Sequence, residues 1–226
     1  MTDNFNSSSF DPSMRDDLSG TMRYVLTKWL QNTDDMLPAK VIAYDRTLNR
    51  ASVQALISVV TTNNTIVQRP VIASIPVLQL GGGGFVLSFP IQSGDIGWIK
   101  ASDRDISLFL QSIKSSGGVI SPPNTVRKHS FEDAMFIPDT MFKTVTIAGE
   151  DANHVVLQSL DGTTKIAMGN GTIKILAPTS MSITTPTLTV NGEVVATGNV
   201  TGQGTSLHTH VHSGVTTGGG NTGSPV

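Results

Sequence analysis

The segment KTVTIAGEDANHVVLQSLDGTTKIAMGNGTIKILAPTSMSITTPTLTVNG, residues 143–192, places apolar residues two apart again and again. Val145 and Ile147 form one such pair, followed by Val155 and Leu157, Ile166 and Met168, Ile173 and Ile175, Met181 and Ile183, and Leu188 and Val190. Residues two apart on an extended chain share a face, so the spacing predicts short strands with one apolar side. Asp161-Gly162, Asn170-Gly171 and Asn191-Gly192 sit between them, and such pairs tolerate the positive φ of tight turns.

The surrounding composition is unusual for a folded core. All twelve aromatic residues lie at or before Phe142, and the 84 residues from Lys143 onward hold seven charged residues and no Arg. Disorder competes with a strand reading here, but disordered chains are typically charged and poor in β-branched residues. Strands with only small and medium apolar side chains have little to pack against in a lone chain, and their open edges invite pairing with other chains. Several identical chains wound about one axis satisfy both demands. Residues 143–206 are therefore read as a trimeric, intertwined β-helix or β-prism, with aliphatic side chains in a narrow shared interior and the Thr/Ser-rich alternate positions facing water.

The remaining N-terminal part reads as globular. Asp11-Pro12-Ser13 offers a cap and a first-turn proline. Met14, Leu18, Met22, Val25, Leu26, Trp29 and Leu30 then recur at spacings of three and four, which predicts an amphipathic helix of about five turns, weakened by Gly20. Beyond Pro38 the pattern turns to strands at 40–44, 51–60, 66–73, 85–89 and 96–102, a set that fits a small OB-type Greek-key barrel. Residues 106–113 fit a last strand or a short helix. Ser115-Ser116-Gly117-Gly118 and Pro122-Pro123 mark 114–142 as an irregular connector. The organisation expected is a helical segment at 1–36, an OB-fold barrel at 37–113, the connector, a triple-stranded β-helix at 143–206 and an apex at 207–226.

Several function classes are disfavoured. Fifteen basic against seventeen acidic residues argue against nucleic acid as a partner, since phosphate contacts need a basic surplus. The absence of Cys removes disulfides, thiolate metal sites and Cys nucleophiles. The first residues lack the basic and apolar regions of a secretory leader, and no apolar run reaches the ~18 residues of a membrane-spanning helix. Gly81–Gly84 lacks the Lys-Ser/Thr ending and the following helix of a phosphate loop, so it reads as a turn between strands. Phe85, Phe89 and Trp98 read as barrel core rather than a base-stacking face. The cluster Asp95, Asp103, Arg104 and Asp105 reads as an Asp–Arg brace between strands rather than a catalytic pair. No enzymatic activity is expected.

Three of the five His residues fall in Leu207-His208-Thr209-His210-Val211-His212. On an extended strand the three imidazoles would point one way, roughly 7 Å apart, too far for one ion, whose ligands converge to about 2 Å. Around a threefold axis each His becomes a ring of three. Two adjacent rings supply six nitrogens, an octahedral cage for a transition metal such as iron, nickel or zinc. The Gly-rich stretch that follows, 213–226, would then fold over the ion as a cap.

The run His210 to Pro225, His-x-His-Ser-Gly-Val-x-x-Gly-Gly-Gly-x-Thr-Gly-x-Pro, resembles the tip of the central spike proteins of contractile-tailed bacteriophages. Gly82–Asp95 with Ser102-Asp103-Arg104-Asp105-Ile106 resembles the N-terminal barrel of the same proteins. The resemblance implies a virion homotrimer at the distal end of the tail and baseplate, mounted on a tail-tube or baseplate hub by its N-terminal domain. It also implies an apex iron bound by six His, two from each chain, and a role in puncturing the host outer membrane. His210 and His212, which precede Ser-Gly-Val, match the family's metal pair; the extra His208 leaves His208 and His210 as the alternative. Two rival functions stand beside this one, a receptor-binding fibre tip and a polysaccharide-degrading β-helical tailspike. The first would need exposed distal aromatics, and the second clustered carboxylates, where residues 143–206 offer only the scattered Glu150, Asp151, Asp161 and Glu193.

Overall fold

The computed structural model describes residues 17–31, 33–61, 64–140, 143–211, 214 and 218. The chain divides into two units at Leu176/Ala177, and the architecture is mainly β with few helices.

In the first unit, helix α1 (Leu18–Gln31) leads into strands β1 (Met36–Asp45), β2 (Arg50–Ala55), β3 (Val59–Val60), β4 (Ile66–Val67), β5 (Ile72–Pro76), β6 (Leu80–Gly82), β7 (Phe85–Leu87) and β8 (Ile96–Ser102). Helix α2 (Ser107–Ser116) and strand β9 (Ser130–Pro138) follow, and then β10 (Val155–Gln158), β11 (Lys165–Gly169) and β12 (Thr172–Leu176). The second unit holds β13 (Thr201–Gly202) and β14 (Thr205–Ser206).

Five strands form one antiparallel sheet in the order β5-β2-β1-β8-β9. Its two edges meet: Val77, just past β5, bridges Phe136 in parallel, and the Leu78 N–H donates to the Phe136 carbonyl at 2.8 Å. The result is a nearly closed, OB-like barrel. Its interior is lined by Ala39, Val41, Ala51, Val53, Ala55, Ile75, Val77, Ile99, Ala134 and Phe136. Ala and Val at alternate positions suit a five-stranded barrel, where the space is too narrow for many large rings.

That core corrects two expectations. Phe85 and Phe89 are exposed, and Trp98 lies on the outer face, its indole N–H donating to Asp139 at 2.8 Å; Phe136 is the large ring inside. The strand carrying Phe136 lies within the stretch read as connector, so the fifth barrel strand falls beyond residue 113. A bulge between Ala101 and Ser102 breaks the β8–β9 register. It leaves Asp133 and Ala134 both buried, which blurs the period-2 signal by which β9 would have been read.

Other elements differ in detail. The helix starts at Leu18, with the Asp17 carboxylate accepting from the Gly20 N–H, a capping geometry. Asp11-Pro12-Ser13 lies outside the described residues. The stretch 51–60 is interrupted at Leu56–Ser58, and 66–73 divides into β4 and β5. Residues 85–89 contribute to a small hairpin, not to the barrel. Of residues 106–113, Ile106 precedes α2 and the rest belong to it; the helix is closed at Gly117 in the left-handed conformation, φ 71°, as helix C-termini favour. Of Gly81–Gly84, the first two end β6 and Gly83 and Gly84 make the hairpin turn, at φ 58° and 86°.

Candidate functional site

Strands β10, β11 and β12 pair antiparallel in register, bringing Val155, Met168 and Ile173 side by side and Leu157, Ile166 and Ile175 beside them. All six are exposed. The alternate residues of β11, Lys165 and Ala167, are the buried ones. The period-2 pattern is present, but in one chain it is inverted: the apolar face is bare and the face carrying a lysine is covered.

The cover is a 3-10 turn at Gly149–Asp151 that places Asp151 beneath the sheet, 1% exposed. Lys165 and Lys174 both donate to its carboxylate, Lys174 at 2.8 Å. These hydrogen bonds outweigh the burial that would raise it and hold Asp151 down at about 2. The same contact with Asp151 raises Lys174. His154 Nδ1 lies 3.4 Å from Asp151, and its imidazole occupies the space above Gly169, where a Cβ would fall 2.1 Å from the ring. The sequence reading counted Asp151 among the scattered acids of this region; its partners are brought to it only by the sheet register.

In the barrel, Asp105 is buried and accepts from the Ser107 N–H at 2.9 Å and the Thr125 hydroxyl at 2.7 Å, with Arg127 Nη2 at 3.3 Å. The hydrogen bonds from Ser107, then Thr125, depress its pKa strongly. Arg127 also reaches Asp133 at 3.1 Å. The expected brace through Arg104 is corrected: Asp105 is paired with Arg127, and Arg104 is exposed. Asp95 accepts from Lys143 at 2.7 Å instead.

The second unit is described by itself. Residues 177–198 contain no strand and no backbone–backbone hydrogen bond among the described residues. Met181, Ile183, Leu188, Val190, Val194 and Val195 are all exposed. β13 and β14 form a two-stranded hairpin, after which residues 207–209 turn. Asn199 Oδ1 accepts from the Ser206 hydroxyl at 2.7 Å and the His208 N–H at 3.4 Å, and the His210 N–H donates to the Ser206 carbonyl at 3.1 Å.

His208 and His210 are both exposed, and the turn means that they are not alternate residues of one extended strand. His212 lies outside the described residues. Among the described residues a single chain gathers one three-ligand set, Asp35, Asp103 and His129, with ligand atoms within 4.8 Å of one another. Lys100 already pairs with Asp35 there and, ahead of burial and of His129, lowers its pKa. Neither His208 nor His210 belongs to a three-ligand set among the described residues.

No described helix is long and apolar enough to cross a membrane. Residues 37–139, which cover the barrel, match the family described as Phage protein Gp138 N-terminal domain. The match indicates a phage protein and points to a structural part of the virion. No curated protein matches the chain.

Proposed function

We propose that three copies of this chain assemble as the central spike at the distal end of a contractile tail, where the spike punctures the host outer membrane. The observation that carries this reading is the bare six-residue apolar face of β10–β12; in the second unit, the exposed aliphatic residues of 177–198, a stretch without internal backbone pairing among the described residues, support it separately. Three such faces turned toward one axis would remove their apolar surface from water, at roughly 1.5–3 kcal/mol for each fully buried Val, Leu or Ile. The extended stretches would pair between chains and leave no open edge.

The barrel is then the mounting end, docked on a tail-tube or baseplate hub, and the histidine-bearing end is the tip. His210 and His212 from each chain, with His208 as alternative, would hold one iron or similar ion in a six-nitrogen cage. The ion would supply a rigid cross-link where side-chain packing runs out. Sparse charge lowers the cost of entering lipid, since unpaired charges are expensive there. Contraction of the sheath supplies the work, so no catalytic site is required.

Gold-labelled antibody raised against this chain tests the placement on purified virions. Label at the distal end of the tail is the expected result, and label on the capsid or tail shaft would overturn it. Depolymerisation of host surface polysaccharide by the purified protein would favour the tailspike enzyme instead.

A further inference from the structure

Residues 70–94 carry no ionisable side chain, and in their middle stands the β6–β7 hairpin. Leu80, Phe85 and Val86 are 63, 84 and 61% exposed, so the hairpin adds nothing to the barrel core. Its base is tied by Gln79 Nε2 donating to Ser88 at 3.0 Å. One residue further on begins a cleft of about 590 Å³ whose walls include Phe89, Pro90, Ile91, Pro138 and Leu160. Of the charged groups at its edge, Asp95 is paired with Lys143, and Asp139 accepts from the Trp98 indole N–H. The volume falls within the ~300–1,000 Å³ typical of sites that enclose a compact apolar group.

We propose that the Phe85 hairpin of one copy inserts into this cleft on the next copy around the threefold axis. The inference rests on the trimer of the preceding reading. The same chain carries an apolar knob that its own fold leaves bare and an apolar hole of matching character. Knob and hole are different surfaces, so their contact is head-to-tail, and such contacts close when the rotation completes a ring. In its own chain the hairpin tip stands outside this cleft, with Phe85 left bare. The wall at Leu160 continues directly from β10, so the contact adjoins the bare apolar sheet.

The absence of native Cys makes the test clean, and both positions are exposed enough to substitute without unfolding the barrel. The full chain with Phe85→Cys and Leu160→Cys together, treated with a short bifunctional thiol reagent, is expected to run as a covalent trimer on a denaturing gel, and each single variant as a monomer. A double variant that sediments as a trimer yet stays uncrosslinked overturns the inference while leaving the trimer intact. Crosslinking by Phe85→Cys alone also overturns it, because the tips would then meet each other. So does a crosslink formed only to an added hub protein. A native mass of one chain removes the trimer and the inference with it.

Discussion

Gly97 shows how tightly the barrel is built. It sits on β8 between Ala39 and Pro138, and a Cβ there would lie 2.3 Å from the Ile137 carbonyl and 2.6 Å from the Phe136 ring. Overpacking of this kind costs roughly 1–3 kcal/mol, so Gly97→Ala is expected to lower the unfolding free energy by that amount, read in chemical unfolding as a lower denaturant midpoint at unchanged slope. Asp151 gives a pH signature. Its pKa is depressed to about 2 from an ordinary 3.8. A depressed carboxylate contributes stability that is fully present above the unfolded value and lost as pH falls through the folded one. Thermal melts of the wild type should therefore weaken between about pH 4 and pH 2, and Asp151→Asn should flatten that dependence. The variant should also be less stable at neutral pH, because it takes from buried Lys165 its nearer counter-charge and leaves only Glu150, at 3.9 Å. A melt profile equally steep in both proteins would count against the pairing.

Among the elements, β10–β12 invite a direct test. A single aspartate on the bare apolar face stays in water in a lone chain but becomes an uncompensated charge, worth several kcal/mol, once that face is buried. Ile166→Asp is expected to reduce the sedimenting mass to one chain while far-UV circular dichroism of the barrel persists; an unchanged mass would show that the face stays open. These strands were legible in the sequence because their alternation is uninterrupted and Asn170-Gly171 punctuates it. Met181–Ile183 and Leu188–Val190 alternate just as clearly yet form no strand in one chain, since the pattern reports which side is apolar and not where the pairing partner comes from. β9 was illegible for a different reason: its bulge spoils the alternation, and Ser-, Gly- and Pro-rich breakers precede it. The core role given to Phe85, Phe89 and Trp98 rested on the scarcity of basic residues beside them, whereas a five-stranded barrel fills its centre with Ala, Val and Ile around Phe136. The Asp151 cluster joins residues 14 and 23 positions apart, and nothing local marks them as partners.

For the whole molecule, the sequence shows three alternating histidines, while among the described residues one chain gathers neither His208 nor His210 into a ligand set. The proposed cage exists only if chains combine. His210→Ala with His212→Ala should abolish metal in the purified protein by elemental analysis, where the wild type should hold one ion per three chains; full occupancy in the variant would refute those ligands. The ion should also leave on acidification, since imidazole must be neutral to bind. Beneath all of this is the claim that the folded object contains three chains. Sedimentation equilibrium of the purified full-length protein at micromolar concentration should give about three times 23.9 kDa, and a single species at 23.9 kDa would contradict it.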